Sequence, residues 1–366
     1  MFERRLYANV DGKLLSAVVA LSLIGLVMIF STTYDAATEQ VGSQFYRQLG
    51  ALLIGLVALT VSLMIDYRAI VNRSLLIYGG LAACLLYTLW FGVEQGGAQR
   101  WIGLGVVNFQ PSEFARLVVA LVLAFIFAKD YRGSRRPSDW LIGIVIVGLP
   151  VFLIARQPDL GSAATLLPVC IVIMLFAGLK PRVLAVLSVV AILAAPVVWA
   201  YGMEDYQKTR IASFLDPEQD PRGAGYQQIQ ARITVGSGGL TGKGFLQGTQ
   251  SQYDFLPVAH NDFIFSVLAE EHGFIGVLFT LGLYLFVVLR SLEAARLSKD
   301  RMGQYLVAGV LAGFTFQVIY NVTMSAGLAP VKGLPLPLMS YGGSSVIATL
   351  LGFGLILNVR MRRFTN

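Results

Sequence analysis

The chain has 366 residues, 56% hydrophobic and 13% charged, with 28 Lys and Arg against 21 Asp and Glu. Soluble domains carry about 25% charged residues, so this composition excludes an ordinary soluble enzyme, a disordered chain and a fibrous one. At about 20 residues per membrane crossing, the apolar content suffices for about ten spans.

Ten apolar runs follow in chain order, near 14–31, 48–65, 75–91, 114–129, 140–155, 160–178, 182–201, 263–289, 305–328 and 342–359. The first is longer than the 7–15-residue core of a secretory leader, so it reads as an uncleaved span with its N-terminus in the cytoplasm. With both termini on that side, 18 of the 28 basic residues lie in cytoplasmic segments, among them Arg4, Arg5, Arg132, Arg135 and Arg136, alongside seven acids. Of the ten others, five fall in one long outer loop, where the positive-inside rule has little force. The net charge of +7 is thus an orientation signal, and no nucleic-acid partner is needed to explain it. An alkaline-phosphatase fusion at Ser237, in the outer loop, is expected to be active; an inactive fusion overturns this topology. Cys84 and Cys170 lie inside apolar runs without metal or disulfide spacing and read as small packing residues.

The expected fold is an all-α polytopic membrane protein: ten transmembrane helices, both termini cytoplasmic, residues 1–366 forming one integral-membrane domain. Its one long extracytoplasmic loop, 202–261, lies between helices 7 and 8 and contains short amphipathic helices.

A charge inside a span costs several kcal/mol and is a functional candidate by default. Before the fourth span, GGAQRWIGLGVVNFQPSEFARL carries Arg100, Gln110, Ser112, Glu113 and Arg116 and reads as a re-entrant or interfacial stretch. Pro111-Ser112-Glu113 equally fits a helix start with an acid in the first turn, and Glu113 and Arg116 can pair on one helix face. In ARQPDLG, between spans five and six, Asp159 sits at a tight corner, where Arg156 could pair with it across the turn.

FLPVAHNDFIFSVLAEEHG sets Asp262 where the long loop meets the eighth span, with His260 beside it and Glu270 and Glu271 following. Glu270 is expected roughly 12 Å deeper than Asp262 along the helix. An Asp before an apolar run is an ordinary helix cap, so cap and catalyst stand as equal readings, and a metal shared by His260 and Asp262 is a weak third. GSGGLTGKG, with Lys243, lacks P-loop spacing and reads as either a backbone cradle for phosphate or a flexible hinge. PVKGLPLPLMSYGGSS has Lys332, Ser340 and Tyr341 as polar tips on irregular backbone, which at membrane depth must line a cavity or be buried in protein.

GAQRWIGLG…FQPSE, RQPDLG, DP…DPRGAGYQ…GSGGL.GKG…GTQSQ, HNDFIF..LAEE.G and P..GLPLPL.SYGGSS together resemble, end to end and in order, the shape, elongation, division and sporulation family, best known from RodA and FtsW. The flavour of GTQSQYDFLP is closer to RodA; Lys332 is more like the division homologue. Two departures stand out: Pro257-Val258 where the family usually has Pro-Glu, and Asn261 where it has Thr.

The resemblance implies a GT-C-like membrane fold and a peptidoglycan glycosyltransferase polymerising lipid II at the outer face of the bacterial inner membrane. Asp262 matches the family's essential acid and would be the general base. Gln110, Glu113, Asp159, His260 and Ser340 are candidate substrate contacts, with Arg100, Arg116, Arg210, Lys243 and Lys332 facing the leaving pyrophosphate. It also implies a divalent cation (Mg²⁺ or Mn²⁺), a class B penicillin-binding protein as partner and other membrane proteins of the elongation complex. A lipid II flippase and a non-catalytic scaffold are the competing readings.

Overall fold

The computed structural model describes residues 9–35, 38–95, 98–103, 108–129, 137–220, 223–253, 255–257 and 259–364. Arg4, Arg5, Arg132, Arg135 and Arg136 of the orientation count, Arg222 and Val258 lie outside the described residues. The helices that carry the apolar runs are α1 (Gly12–Thr33), α2 (Ser43–Met64), a short α3 (Tyr67–Asn72), α4 (Ser74–Phe91), α5 (Pro111–Lys129), α6 (Pro137–Arg156), α7 (Leu160–Phe176) and α8 (Pro181–Val197). After them come α9 (Asp205–Leu215), α10 (Ala224–Ser237), a one-turn α11 (Thr249–Gln252), α12 (Ile264–Arg296), α13 (Arg301–Ser325) and α14 (Gly343–Met361). Among the described residues nine helices are long and apolar enough to cross a membrane, counting α8 with its continuation to Gly202. The tenth expected span is α7, which at 17 residues is shorter because Asp159 caps it directly after the Pro158 corner.

Helices α5 and α14 are the most buried and form the middle of the bundle. The longest packing is α14 along α2, where Gly354 lets the backbones close: a Cβ there would lie 1.9 Å from Ser62 Oγ. Helix α13 packs on α5, α7, α12 and α14. By contrast α8 buries no side chain, and a helix apolar all round with no protein cover is stable only against lipid.

The stretch expected as re-entrant or interfacial forms a small antiparallel sheet. Strands β3 (Val93–Gln95), β4 (Ala98–Gly103) and β5 (Asn108–Phe109) pair as Val93 with Trp101 and Ile102 with Phe109, after a separate two-residue hairpin β1 (Tyr34–Asp35) and β2 (Gln40–Val41). Hairpin pairing gives this backbone its own hydrogen bonds, which a lone extended loop at the membrane boundary would lack.

The eighth span is two helices joined at a break. Residues 264–271 are buried without exception, whereas from Phe274 onward many side chains face outward. Between them Gly273 has φ 62° and ψ −165°. The break exposes helix backbone groups, and the loop 238–244 takes them up: Lys243 N donates to Glu270 O at 2.9 Å, Gly244 N to Glu271 O at 3.0 Å and Phe274 N to Gly239 O at 2.9 Å. A Cβ on Gly273 would sit 2.2 Å from Gly242 N. Gly273→Ala is therefore expected to lose about 2 kcal/mol or more from strain and overpacking, read as a lower thermal midpoint in detergent.

Helices α1 and α12 are tied at one end by Asp11 with Arg290 (3.3 Å) and at the other by a short hydrogen bond from Ser31 Oγ to Glu271. The 20 residues from 11 to 31 and the 19 from 271 to 290 each span about 30 Å at helical rise, the thickness of a bilayer's hydrocarbon core. Residues 271–290 are thus long enough for a crossing by themselves, and the buried half-helix from Asp262 to Glu271 precedes that length at the loop-bearing end.

Candidate active site

Asp159 organises the loop-bearing end. As the N-cap of α7 it accepts from Ser162 N at 3.1 Å, and its other oxygen accepts from Gln110 Nε2 and Ser112 Oγ, both at 3.2 Å. Arg100, on β4, reaches it at 3.7 Å. The expected Arg156–Asp159 pair is replaced: Arg156 lies over the Phe152 ring, 5.1 Å from its centroid. Two residues before Asp159, Gln157 is itself anchored, donating to Leu85 O at 2.9 Å and Thr88 Oγ1 at 2.8 Å on α4. One turn below Gln110, Glu113 pairs with Arg116 at 3.6 Å, and Arg116 donates to Thr349 Oγ1 at 2.8 Å on α14.

Asp262 is partly buried, and its Oδ1 is enclosed without a hydrogen-bond partner among the described residues. The cap reading fails: α12 begins at Ile264 behind Phe263, with no side-chain cap on the helix. Burial pushes the Asp262 carboxyl up to about 6, against the pull of Arg100 and Arg210, while the Asp159 charge adds to the rise. Asp262, Arg100, Asp159 and Arg210 therefore share one electrostatic site. Lys332 borders it, its ammonium shifted down by burial and by the Arg210 charge.

The other sequence candidates divide. His260 packs edge-on against Tyr341, and burial lowers its pKa. Its carbonyl accepts from Tyr341 N at 2.9 Å, joining the HND turn to the SYGG segment. Ser340 Oγ accepts from Leu336 N at 2.8 Å and shapes the Pro-rich loop. Lys243 stands outside the cluster: it donates to Glu270 Oε1 at 2.7 Å. The same oxygen accepts from Thr249 N (2.9 Å) and Gln250 N (3.0 Å), so this pair fastens the long connection to α12. Glu270→Ala is expected to cost about 3 kcal/mol or more, because it leaves two amides without their acceptor and the Lys243 ammonium without its countercharge, with only Thr249 Oγ1 still accepting from it; protease nicking of 238–252 checks it.

Residues 12–364 match the family model described as cell cycle protein, FtsW/RodA/SpoVE. The chain belongs to this family. It is 37% identical to the peptidoglycan glycosyltransferase MrdB of Escherichia coli K12 over 97% of this chain and 94% of that one, and 31% identical to RodA of Treponema pallidum over 97% and 98%. Among solved structures it is similar to a chain of a peptidoglycan synthase complex that coordinates polymerization and crosslinking, with a TM-score of 0.85 and 33% identity over 98% and 99% of the two chains. It is also similar to RodA of Thermus thermophilus, with a TM-score of 0.73 and 30% identity over 98% of each.

This FtsW/RodA/SpoVE chain uses site residues that a search for charges passes over. Gln48, inside the second apolar run, donates to Ser340 O at 3.1 Å and accepts from Gly342 N at 3.0 Å. Asn321, inside the ninth, donates to two backbone carbonyls at 2.9 and 2.8 Å. Gln157, at the corner between the fifth and sixth runs, is a third buried amide bonded to a distant helix. An amide in an apolar run is expensive unless it bonds, and that cost is the signal by which sequence could have found them.

Proposed function

We propose that the chain is a peptidoglycan glycosyltransferase of cell elongation, polymerising lipid II at the outer face of the bacterial inner membrane. The observation that carries the reading is Asp262: a carboxylate with one enclosed, unpartnered oxygen, in the field of Arg100 and Arg210, at the loop-bearing end of an apolar bundle. The names and near-complete coverage of the relatives support it.

The 4-hydroxyl of the acceptor sugar attacks the anomeric carbon of the growing chain. Asp262 takes the hydroxyl proton as the new C–O bond forms. The bond from the anomeric carbon to the undecaprenyl diphosphate oxygen breaks, and its electron pair leaves with the diphosphate. Arg100, Arg210 and Lys332 supply positive charge where that negative charge grows. The lipid tail keeps the substrate in the bilayer, so the enzyme must meet it from the membrane. Among the described residues no three His, Cys, Asp or Glu side chains converge to hold a metal ion, and both Asp159 oxygens are taken. The described residues thus build no cation cage of their own; a Mg²⁺ or Mn²⁺ ion would supply positive charge to the diphosphate oxygens. The synthase complex among the similar structures supports a class B penicillin-binding protein as partner.

The test is polymerisation by the purified chain with such a partner, lipid II and a divalent cation. Glycan ladders from the wild type and none from an Asp262 variant support the reading. Absence of polymer from both, with lipid II crossing liposomes, would favour the flippase.

A further inference from the structure

We propose that Asn321 is a positioning residue for this reaction: from α13 its side-chain amide clamps the backbone of Asp262 to the Pro-rich segment and so fixes where the Asp262 carboxylate points. The inference rests on the reading of Asp262 as the base.

Three separate chain segments meet at Asp262, and two of them are irregular there. The turn 259–262 enters α12 without a side-chain cap, so nothing on the helix itself sets its angle. The segment 330–334 has no regular secondary structure, and Gly333 faces the carboxylate: a Cβ on it would lie 3.5 Å from Asp262 Oδ2. Helix α13 is the regular element of the three. Asn321 is wholly buried on it and donates from Nδ2 to Asp262 O at 2.9 Å and to Leu334 O at 2.8 Å. Both amide protons are spent on carbonyls, one from each irregular segment. One helical position earlier, Tyr320 OH donates to Pro330 O at 2.8 Å and holds the start of the same segment. On the far side of the turn, Tyr341 N binds His260 O. The turn is thereby gripped at 260 and at 262, and the grip at 262 is Asn321 alone among the described residues.

No charge is involved, and the amide contacts no carboxylate oxygen in the structure. Its effect on chemistry is through place: a misplacement of about 1 Å in a reacting group costs roughly 100-fold in rate, and the peptide carbonyl that Asn321 holds belongs to Asp262 itself. Leu is close to Asn in size but donates nothing, whereas Ser retains one donor.

The experiment is steady-state polymerisation of lipid II by the full chain with its penicillin-binding partner, read as kcat and KM separately, with the thermal midpoint of each variant. Asn321→Leu is expected to lower kcat by about 30- to 100-fold with KM for lipid II little changed, and Asn321→Ser to fall between it and the wild type. In an Asp262→Asn background, Asn321→Leu is expected to produce no further loss, because the two act through one group. A folded Asn321→Leu with wild-type kcat overturns the inference. So does a loss of activity that vanishes once corrected for the folded fraction; where the Leu variant does not fold, Asn321→Ser is judged by the same split. If Asp262→Asn is itself fully active, the reading of Asp262 falls and this inference with it. An inactive Asp262→Asn beside an active Asn321→Leu overturns the positioning role alone.

Discussion

Asp262→Ala and Asp262→Asn are both expected to lose glycan polymerisation by about 100- to 10,000-fold, the range over which a positioned general base contributes. Neither is expected to lower the thermal midpoint. A capping Asp would, since removing a cap costs about 1 kcal/mol. Here the helix behind Asp262 takes no side-chain cap, and the Asp262 Oδ1 accepts no bond among the described residues. Desolvating an unpartnered carboxylate costs free energy, so its removal leaves stability unchanged or raises it. Activity lost at an undiminished midpoint is the combined signature; retained ladders from Asp262→Ala would remove the base from the mechanism.

The same carboxylate sets the pH dependence. Burial raises it to about 6, with Arg100 and then Arg210 holding it down and Asp159 pushing it up. A base works only when deprotonated, so kcat/KM should climb as pH rises through about 6 and level off above it. Arg100→Ala removes a cation that favours the charged form and unmasks the Asp159 charge that disfavours it. Both changes act in one direction, and the acidic limb of the profile should move to higher pH. A limb that stays in place, or moves down, separates Arg100 from Asp262.

Much of this arrangement was legible in the chain, and the boundary of legibility has physical causes. Apolar runs give the spans to within a few residues because a bilayer imposes length and composition together. Arg100, Gln110, Asp159 and Asp262 stood out as polar residues next to apolar runs, Arg210 entered as a candidate cation of the long loop, and the fold gathers them. Periodicity could not show that α12 breaks at Gly273, because Glu270, Glu271 and Gly273 look like one continuing helix until the loop 238–244 is seen bonded to it. For the same reason Lys243 was legible as a cation but not as a partner of Glu270, a residue 27 positions away. The amides Gln48, Gln157 and Asn321 were hidden by being uncharged. Each binds backbone carbonyls of a distant segment, and such pairings leave no local spacing to read.

Glu113→Gln is the second large effect expected, and the pair it breaks distinguishes a structural from a functional role. The side chains of Glu113 and Arg116 are only 8% and 11% exposed, and their 3.6 Å separation is an ion pair rather than a close hydrogen bond. Arg116 spends its hydrogen bond on Thr349. With Glu113 neutral, a buried guanidinium keeps a hydroxyl partner and loses its countercharge, a change that costs about 3–5 kcal/mol. The midpoint should therefore drop by several degrees, more than the loss of a first-turn acid at a helix start would cause, which is about 0.3–1 kcal/mol. The double variant Glu113→Gln/Arg116→Met removes both charges, and buried pairs replaced by apolar groups commonly recover stability. If the pair only holds α5 to α14, polymerisation returns with the midpoint. If it also lends charge to the cluster of Arg100 and Asp159 one turn above, the double variant folds like the wild type and makes no glycan. We expect the second outcome, because Gln110 and Ser112 tie the start of α5 directly to Asp159.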